Sequence, residues 1–456
     1  QSPMISIMKK HSYYLFLLAS ILYGCSPTAK ISKFARQNII GDSALKHANV
    51  GIAIYEPEKH KYIYRNNADR YFIPASNVKI FSCYVGMKYL GDQVPGILYA
   101  ENDTALFLVP TGDPTFLHSA FQSQPVAAFI RDATKKIYIN TNNWKTEKYG
   151  PGWSWDDYND DYMAERSPMP IYGNIIKWYQ VKSKKEEPQS PSDTIDTFIY
   201  SDPEMDGSID FGKPSADGRF RVSREWSQNN FTLFEGKEKN AMVETPFVTN
   251  GIRSALQLIK DSLHKELIPQ DMAFPESIAR SMQPLYSRPL DSLLKRMMYY
   301  SDNLFAEQVI LMSSMMQLGV SNADLFLEHL LSKEFAALPD KPRWVDGSGL
   351  SRYNLFSPQD MVWILDKINM EIPWKRIETV FATGGKGTLS RSFAADSTLI
   401  YAKTGTLSGV SALSGYIQTR KKRKLIFSIM INNHNSSSAL IRNRFADLLH
   451  ECMKYY

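Results

Sequence analysis

A chain of 456 residues, 43% hydrophobic and 22% charged, is long enough for two or three domains and too apolar to be disordered. Its formal charge of +6 is interspersed rather than gathered into a basic stripe, which argues against nucleic acid as a partner. Three cysteines, at 25, 83 and 452, form no C-x-x-C pair and no group with the eight scattered histidines, so zinc and disulfide frameworks lack their usual pattern, as do H-E-x-x-H, G-x-S-x-G and Walker sequences.

At the N-terminus, Lys9 and Lys10 precede an apolar run over 13–23 that is too short to span a bilayer and suits the h-region of a signal peptide. The run closes Leu22-Tyr23-Gly24-Cys25, a lipobox-like ending. Residues 1–24 are therefore expected to be a lipoprotein-type signal. Cys25 would be the lipidated residue of an exported, periplasmic protein held at the envelope membrane. An ordinary signal cut near Gly24 exports the chain equally well.

Helical spacing follows over 31–40, then two short β runs, 50–55 and 62–65, that read as a hairpin around 56–61. The stretch Phe72-Ile-Pro-Ala-Ser76-Asn-Val-Lys79 opens a helix expected over 76–90. From 98 to 287 the composition shifts to short β runs (104–109, 136–139, 197–200) with many Gly, Pro, Asp and Asn, and 182–193 has the make-up of an exposed loop. Apolar helical patterns at 290–298 and 304–316 flank Ser301-Asp302-Asn303. Strands are expected at 399–406, 409–418 and 425–432, and an amphipathic helix begins at Ser438. Strands at both ends with helices between them predict an α/β catalytic domain, 25–97 plus 288–456, whose sheet both ends of the chain complete. The 98–287 region would be an insertion of one or two β-rich domains.

Three clusters could carry chemistry. Ser76 and Lys79 share a helix face, where a hydroxyl and an amine can meet beside free backbone N–H groups; the same pair also reads as a capped helix with a buried amine. Ser301 and Asn303 sit at a helix-to-helix corner, where they could equally be capping residues. Lys403-Thr404-Gly405-Thr406 ends a strand with a cation, hydroxyls and a glycine that permits close backbone approach. Taken singly, each is explained by structure alone. Their order, S-x-x-K, then S-x-N, then K-T-G, is the triplet of penicillin-binding proteins and serine β-lactamases.

With these motifs the chain resembles the penicillin-binding proteins, and within them the D-alanyl-D-alanine carboxypeptidase/endopeptidase family of type-4 (DacB-like) penicillin-binding proteins. The interval from Ser76 to Ser301 is more than twice that from Ser301 to Lys403, as in relatives with domains inserted there. Gly112-Asp-Pro-Thr-Phe116, Gly152-Trp-Ser-Trp-Asp-Asp157, Asp346-Gly-Ser-Gly-Leu-Ser-Arg352 and Gly384-Gly-Lys-Gly-Thr-Leu389 add to the likeness. It is weakest over 160–245.

The resemblance implies a serine β-lactamase/DD-peptidase-like transpeptidase fold, with an antiparallel sheet flanked by helices and the β-rich insertion between the first two motifs. Ser76 would attack the D-Ala-D-Ala bond of peptidoglycan stem peptides, or the D-Ala-to-diamino-acid crosslink, and form an acyl-enzyme. Lys79 would take its proton, Ser301 would relay one to the leaving amine, and Asn303 would hold the acyl side chain's amide. Lys403 and Thr404 would bind the terminal carboxylate, while the backbone N–H groups of Ser76 and Thr406 would form the oxyanion hole. Arg352 would lie near the free end of the stem. β-Lactams would be covalent inhibitors, and no metal or organic cofactor is needed. One departure is Asn140-Thr-Asn-Asn143, where relatives often carry an acidic residue; it calls recognition of a free amine into question.

Two rivals use the same scaffold. A β-lactamase or esterase would need a deacylating base, for which no motif is found; a catalytically silent wall-binding lipoprotein would not need the intact triplet. Cys83 reads as core packing, His434 as a loop residue, and Trp153 and Trp155 as anchors of the insertion more readily than as stacking platforms.

Overall fold

Both ends of the described chain enter one six-stranded sheet. The computed structural model describes residues 27–184, 195–205 and 207–456, so the expected signal segment and Cys25 lie outside the described residues, as do 185–193 of the expected polar loop. The N-terminal hairpin is β1 (Asn49–Glu56) and β2 (Lys61–Asn66); the C-terminal half supplies β3 (Ala382–Thr383), β4 (Ile400–Leu407), β5 (Val410–Gln418) and β6 (Lys424–Asn432). The order is β3-β4-β5-β6-β1-β2 with every pair antiparallel, and β1 closes on β6 from Asn49↔Asn432 to Tyr55↔Ile426.

Successive residues of β6 serve opposite faces. Ile426 and Met430 join the cluster containing Phe81 and Phe305, whereas Leu425, Phe427, Ile429 and Ile431 join the one containing Ile441 and Leu448. A strand covered on both sides is apolar throughout, and each fully buried Ile, Leu or Phe contributes about 1.5–3 kcal/mol. Four helices frame the site: α1 (Lys79–Tyr89), α2 (Leu290–Tyr299), α3 (Asn303–Leu318) and α4 (Ser438–Tyr455). Every residue of α1 from Lys79 to Met87 is buried, Cys83 among them. It is the central helix of the domain, so it lacks a polar face.

The helix expected from Ser76 starts later. Ala75–Val78 is a 3₁₀ turn and α1 begins at Lys79, because Ala75 is held at φ 48° and the chain must turn sharply before it can wind into a regular helix.

The intervening segment forms three sheets that share one apolar cluster. Its five-stranded sheet runs Leu267–Gln270, Lys136–Asn140, Ala105–Pro110, Gln93–Glu101, Gln283–Pro289. The boundaries read from composition, 98 and 287, fall inside paired strands: Leu98 faces Pro284, and Gln93 faces Pro289. Composition marks where polarity changes, whereas strand pairing marks where the sheet starts, and here the two differ by a few residues.

Candidate active site

Ser76 is half-buried on the tight turn ahead of α1. Two glycines let backbone from elsewhere close on that turn. A Cβ on Gly349, whose φ is +81°, would overlap the Ala75 carbonyl, and one on Gly405 would stand 2.7 Å from Pro74 O and 3.1 Å from Ser76 N. The K-T-G strand and the Asp346–Arg352 loop are thus pressed against the serine from two sides.

Lys79, one turn on, is completely buried, and its Nζ has three oxygen partners: Ser76 Oγ at 3.0 Å, Asn303 Oδ1 at 2.6 Å and the Ser348 carbonyl at 2.6 Å. A neutral amine has two hydrogens and one lone pair. The two carbonyl-type oxygens can only accept, so they take both hydrogens, and the lone pair is left for the Ser76 hydroxyl. Burial pushes the Lys79 pKa down to about 8, against the opposing pull of Asp346, Glu307 and Asp302.

The S-x-N corner sits between α2 and α3. Asp302 caps α3 by accepting from Phe305 N at 3.2 Å and is paired with Arg296 at 3.0 Å, which fixes its neighbours. Ser301 adopts φ 61°, a left-handed conformation that a serine tolerates only where its surroundings hold it. Its Oγ accepts from Lys403 Nζ at 2.9 Å, and Asn303 Nδ2 donates to the Tyr162 carbonyl at 2.9 Å.

Lys403 is fully buried and also donates to Thr404 O at 2.7 Å; burial first, then the nearby charge of Lys79, hold its pKa well below that of a free lysine. Beyond it, β4 is an open edge. Its outer neighbour β3 pairs only at Ala402 and Tyr401, so the stretch from Thr404 to Thr406 leaves the backbone groups of alternate residues on that side for an extended peptide to pair with.

The three motifs therefore converge. Ser76, Lys79 and Asn303 form one hydrogen-bonded set, Ser301 and Lys403 a second, and no direct hydrogen bond joins the two among the described residues. A 640 Å³ cleft opens above Ser76, with Ser301, Asn303, Thr406 and Arg352 among its walls. Arg352 is exposed and anchored to the Ser408 carbonyl at 3.1 Å.

Sequence reasoning missed two parts of the site. One is the buried support under Lys79. Asp346 accepts from Gly349 N, Ser351 N, the Asn354 amide and the Trp153 indole at 2.6–2.9 Å, while Glu307 accepts from Ser348 N at 2.7 Å and lies 3.4 Å from Arg166. Burial, then the Asp346 charge, raises the pKa of Glu307. The signal was present in Asp346-Gly-Ser-Gly-Leu-Ser-Arg352, but nothing local shows where that loop folds back. The indole hydrogen bond makes Trp153 an anchor, as expected, while Trp155 is 73% exposed.

The second missed feature is a set of carboxylates, Asp156, Asp157 and Asp161, lining the same cleft with Tyr162. Asn140-Thr-Asn-Asn143, where an acidic residue was looked for, does not line the cleft. Asn140 and Asn142 instead donate to the carbonyls of Gln270, Asp271 and Met272, closing the edge of the five-stranded sheet. Negative charge in the cleft comes from the segment after Gly152-Trp-Ser-Trp. His434 lies beyond β6 with Nε2 at 3.0 Å from Ser411 Oγ, as a loop residue would.

The D-Ala-D-Ala carboxypeptidase 3 (S13) family matches residues 35–451. A D-alanyl-D-alanine carboxypeptidase of Actinomadura sp. (strain R39) is 24% identical over 93% of this chain and 86% of its own, and DacB of Haemophilus influenzae is 25% identical over 97% of each. In structure the chain is similar to penicillin binding protein 4 (dacB) from Haemophilus influenzae, with TM-score 0.72 at 20% identity, covering 93% of this chain and 99% of that one. A complex of that protein with a β-lactam gives 0.67 at 19% identity, and the Bd0816 endopeptidase of Bdellovibrio bacteriovorus 0.51 at 14%. A shared fold and a family match over nearly the whole described chain lead to one conclusion: the protein belongs to the D-Ala-D-Ala carboxypeptidase 3 (S13) family of serine peptidases.

Proposed function

We propose that the protein hydrolyses the D-Ala-D-Ala bond of peptidoglycan stem peptides, and the equivalent crosslink, through an acyl-enzyme on Ser76. The observation that carries this reading is the Lys79 amine, with two acceptors for its hydrogens and Ser76 Oγ on its remaining side. Ser76 Oγ attacks the carbonyl carbon as Lys79 Nζ takes the hydroxyl proton. The backbone N–H groups of Ser76 and Thr406 hold the oxyanion, about 10²–10³ in rate per donor. The C–N bond then breaks, the departing nitrogen receives a proton through Ser301, which Lys403 positions, and water releases the acyl group. Asn303 orients both Lys79 and the acyl amide, and Lys403 with Thr404 faces the carboxylate.

Asp156, Asp157 and Asp161 beside Arg352 suit the far end of a stem residue that carries both an amine and a carboxylate, as a diamino acid does. β-Lactams acylate the same serine. Among the described residues Ser76 Oγ hydrogen-bonds only Lys79, so a penicilloyl-enzyme has no second base beside it and persists, which favours a peptidase over a β-lactamase. The intact triplet argues against a silent scaffold. Export to the periplasm and lipid attachment through Cys25 complete the reading, with 98–287 as the accessory region between the motifs.

Ser76→Ala is expected to abolish both D-Ala release from a pentapeptide stem and labelling by a fluorescent penicillin. Release at the wild-type rate would remove Ser76 from the chemistry. Rapid turnover of the penicillin by the wild-type protein would favour the β-lactamase instead.

A further inference from the structure

The three-stranded sheet of Ile175–Lys184, Ile195–Asp202 and Asn240–Pro246 carries apolar groups on both of its faces. Strand alternation sends Ile176 and Trp178 of the central strand into the cluster shared by the three inserted sheets, with Ile199, Ala241 and Val243 packed against it. The pairs Tyr179↔Tyr200, Val181↔Phe198 and Met242↔Tyr179 then set five residues on the opposite face. An antiparallel sheet with one side on a core ordinarily turns polar residues outward. Here Phe198, Tyr200 and Met242 are each more than half exposed, and the Tyr200 ring stacks on Tyr179 with centroids 5.0 Å apart. A contiguous, uncharged and partly aromatic patch of this kind marks an interaction surface.

The next row of the same face is charged. Asp202, Lys177 and Glu244 lie side by side across the three strands, with Lys177 Nζ 3.9 Å from Glu244. Lys177 and Glu244 also wall a 490 Å³ hollow that extends to the S-x-N corner. This hollow shares Asp161, Tyr162, Tyr300, Ser301 and Asn303 with the cleft above Ser76, and the first three of these are exposed, so both open to the same surface. A continuous track therefore runs from the cleft, past Ser301 and Asn303, over the charged row and onto the aromatic patch.

We propose that this outer face binds the glycan strand from which the stem peptides hang, a polymer of N-acetylated sugar rings, while the stem itself lies in the cleft. The inference rests on the peptidase reading and adds a docking surface to it. A sugar ring has an apolar face of C–H groups and a rim of hydroxyls. The face packs on the rings of Phe198 and Tyr200, and the hydroxyls reach Asp202, Lys177 and Glu244. A lipid or an apolar protein surface laid over the same rows would strip water from the charged row and put nothing polar in its place. The Tyr200–Tyr179–Met242 row spans about 10 Å, two strand spacings, which is the reach of a disaccharide.

The test separates the polymer from the stem. D-Ala release is measured from a free pentapeptide stem and from isolated sacculi whose stems end in D-Ala-D-Ala, for the wild type, the double variant Phe198→Ala/Tyr200→Ala, and Tyr200→Phe. Losing two ring contacts corresponds to a fall of about 5- to 100-fold. The double variant is expected to show that fall on sacculi and none on the free stem, whereas Tyr200→Phe, which keeps the ring, retains most of the rate. Binding to glycan strands stripped of their stems, read by co-sedimentation and so without turnover, should weaken in the same order. An equal fall on both substrates, no fall on either, or undiminished binding to bare glycan overturns the assignment. A wild-type dimer that the double variant dissociates, with sacculus hydrolysis unchanged, gives the face to a second copy of the chain and overturns it too. If the wild type releases no D-Ala from the free stem but still binds bare glycan through these rings, the peptidase reading fails and the surface stands.

Discussion

A lysine with a pKa of about 8 is neutral in roughly one molecule in ten at pH 7. If Lys79 is the base, acylation is expected to climb close to tenfold per pH unit below 8 and level off above it, which stopped-flow labelling with a fluorescent penicillin measures directly. Lys79→Arg keeps the cation but cannot give it up. It should lower acylation by about 10²–10⁴ at every pH; a variant that still accelerates with pH through 8 would transfer the titration to another group. Stability follows the opposite partner in the same equilibrium. The folded pKa lies below the 10.5 of a free lysine, so between about 8 and 10.5 the unfolded chain binds more protons, and stability rises with pH across that window.

At the scale of elements, the site is a junction of three backbones held at left-handed residues and close glycines. Ala75 and Ser301 sit at φ 48° and 61°, and Gly349 at +81° against the Ala75 carbonyl. Gly349→Ala is expected to reduce acylation at least 100-fold and to destabilise by about 1–3 kcal/mol, because both the left-handed angle and the overlap must be relieved. Gly319→Ala serves as the control. Gly319 ends α3 at φ +71° with nothing within 4 Å of the added methyl, so a loss of about 1 kcal/mol with unchanged acylation is expected. Equal behaviour of the two variants would show that the close approach at Gly349 has no catalytic consequence. The short β3 belongs at this scale too, since it leaves the edge of β4 open where a full-length strand would have covered it.

Across the whole molecule, buried charge links the segment between Ser76 and Ser301 to the C-terminal half of the chain. Arg166, 3% exposed, meets Glu307 of α3, 1% exposed, and Glu307 in turn holds Ser348 N, whose own carbonyl accepts from Lys79. Truncating one partner of a buried ion pair strands the other, at about 3–5 kcal/mol. Glu307→Gln should therefore lower the urea midpoint by a corresponding amount and slow acylation through Ser348. A variant within about 1 kcal/mol of wild type in urea unfolding would show that the pair does not tie the two regions together.

Much of this was legible in the chain itself. The hairpin, the three C-terminal strands, the last helix and the α2–α3 corner follow from period-2 and period-3.6 patterning, which are local properties. The three motifs announce the chemistry because each needs particular residue types at short spacing. What no local pattern contains is the company each motif keeps. Asn303 reaching Lys79 across 224 positions, Ser348 and Asp346 supporting it from below, and the carboxylates of 156–161 facing the cleft all depend on loops whose course is set by packing. Sequence by itself determined which groups could react. The tertiary structure alone decided that Lys79 would lose its water, meet two carbonyl oxygens and keep its lone pair for Ser76, because burial and long-range hydrogen bonding exist only once distant segments close on one another.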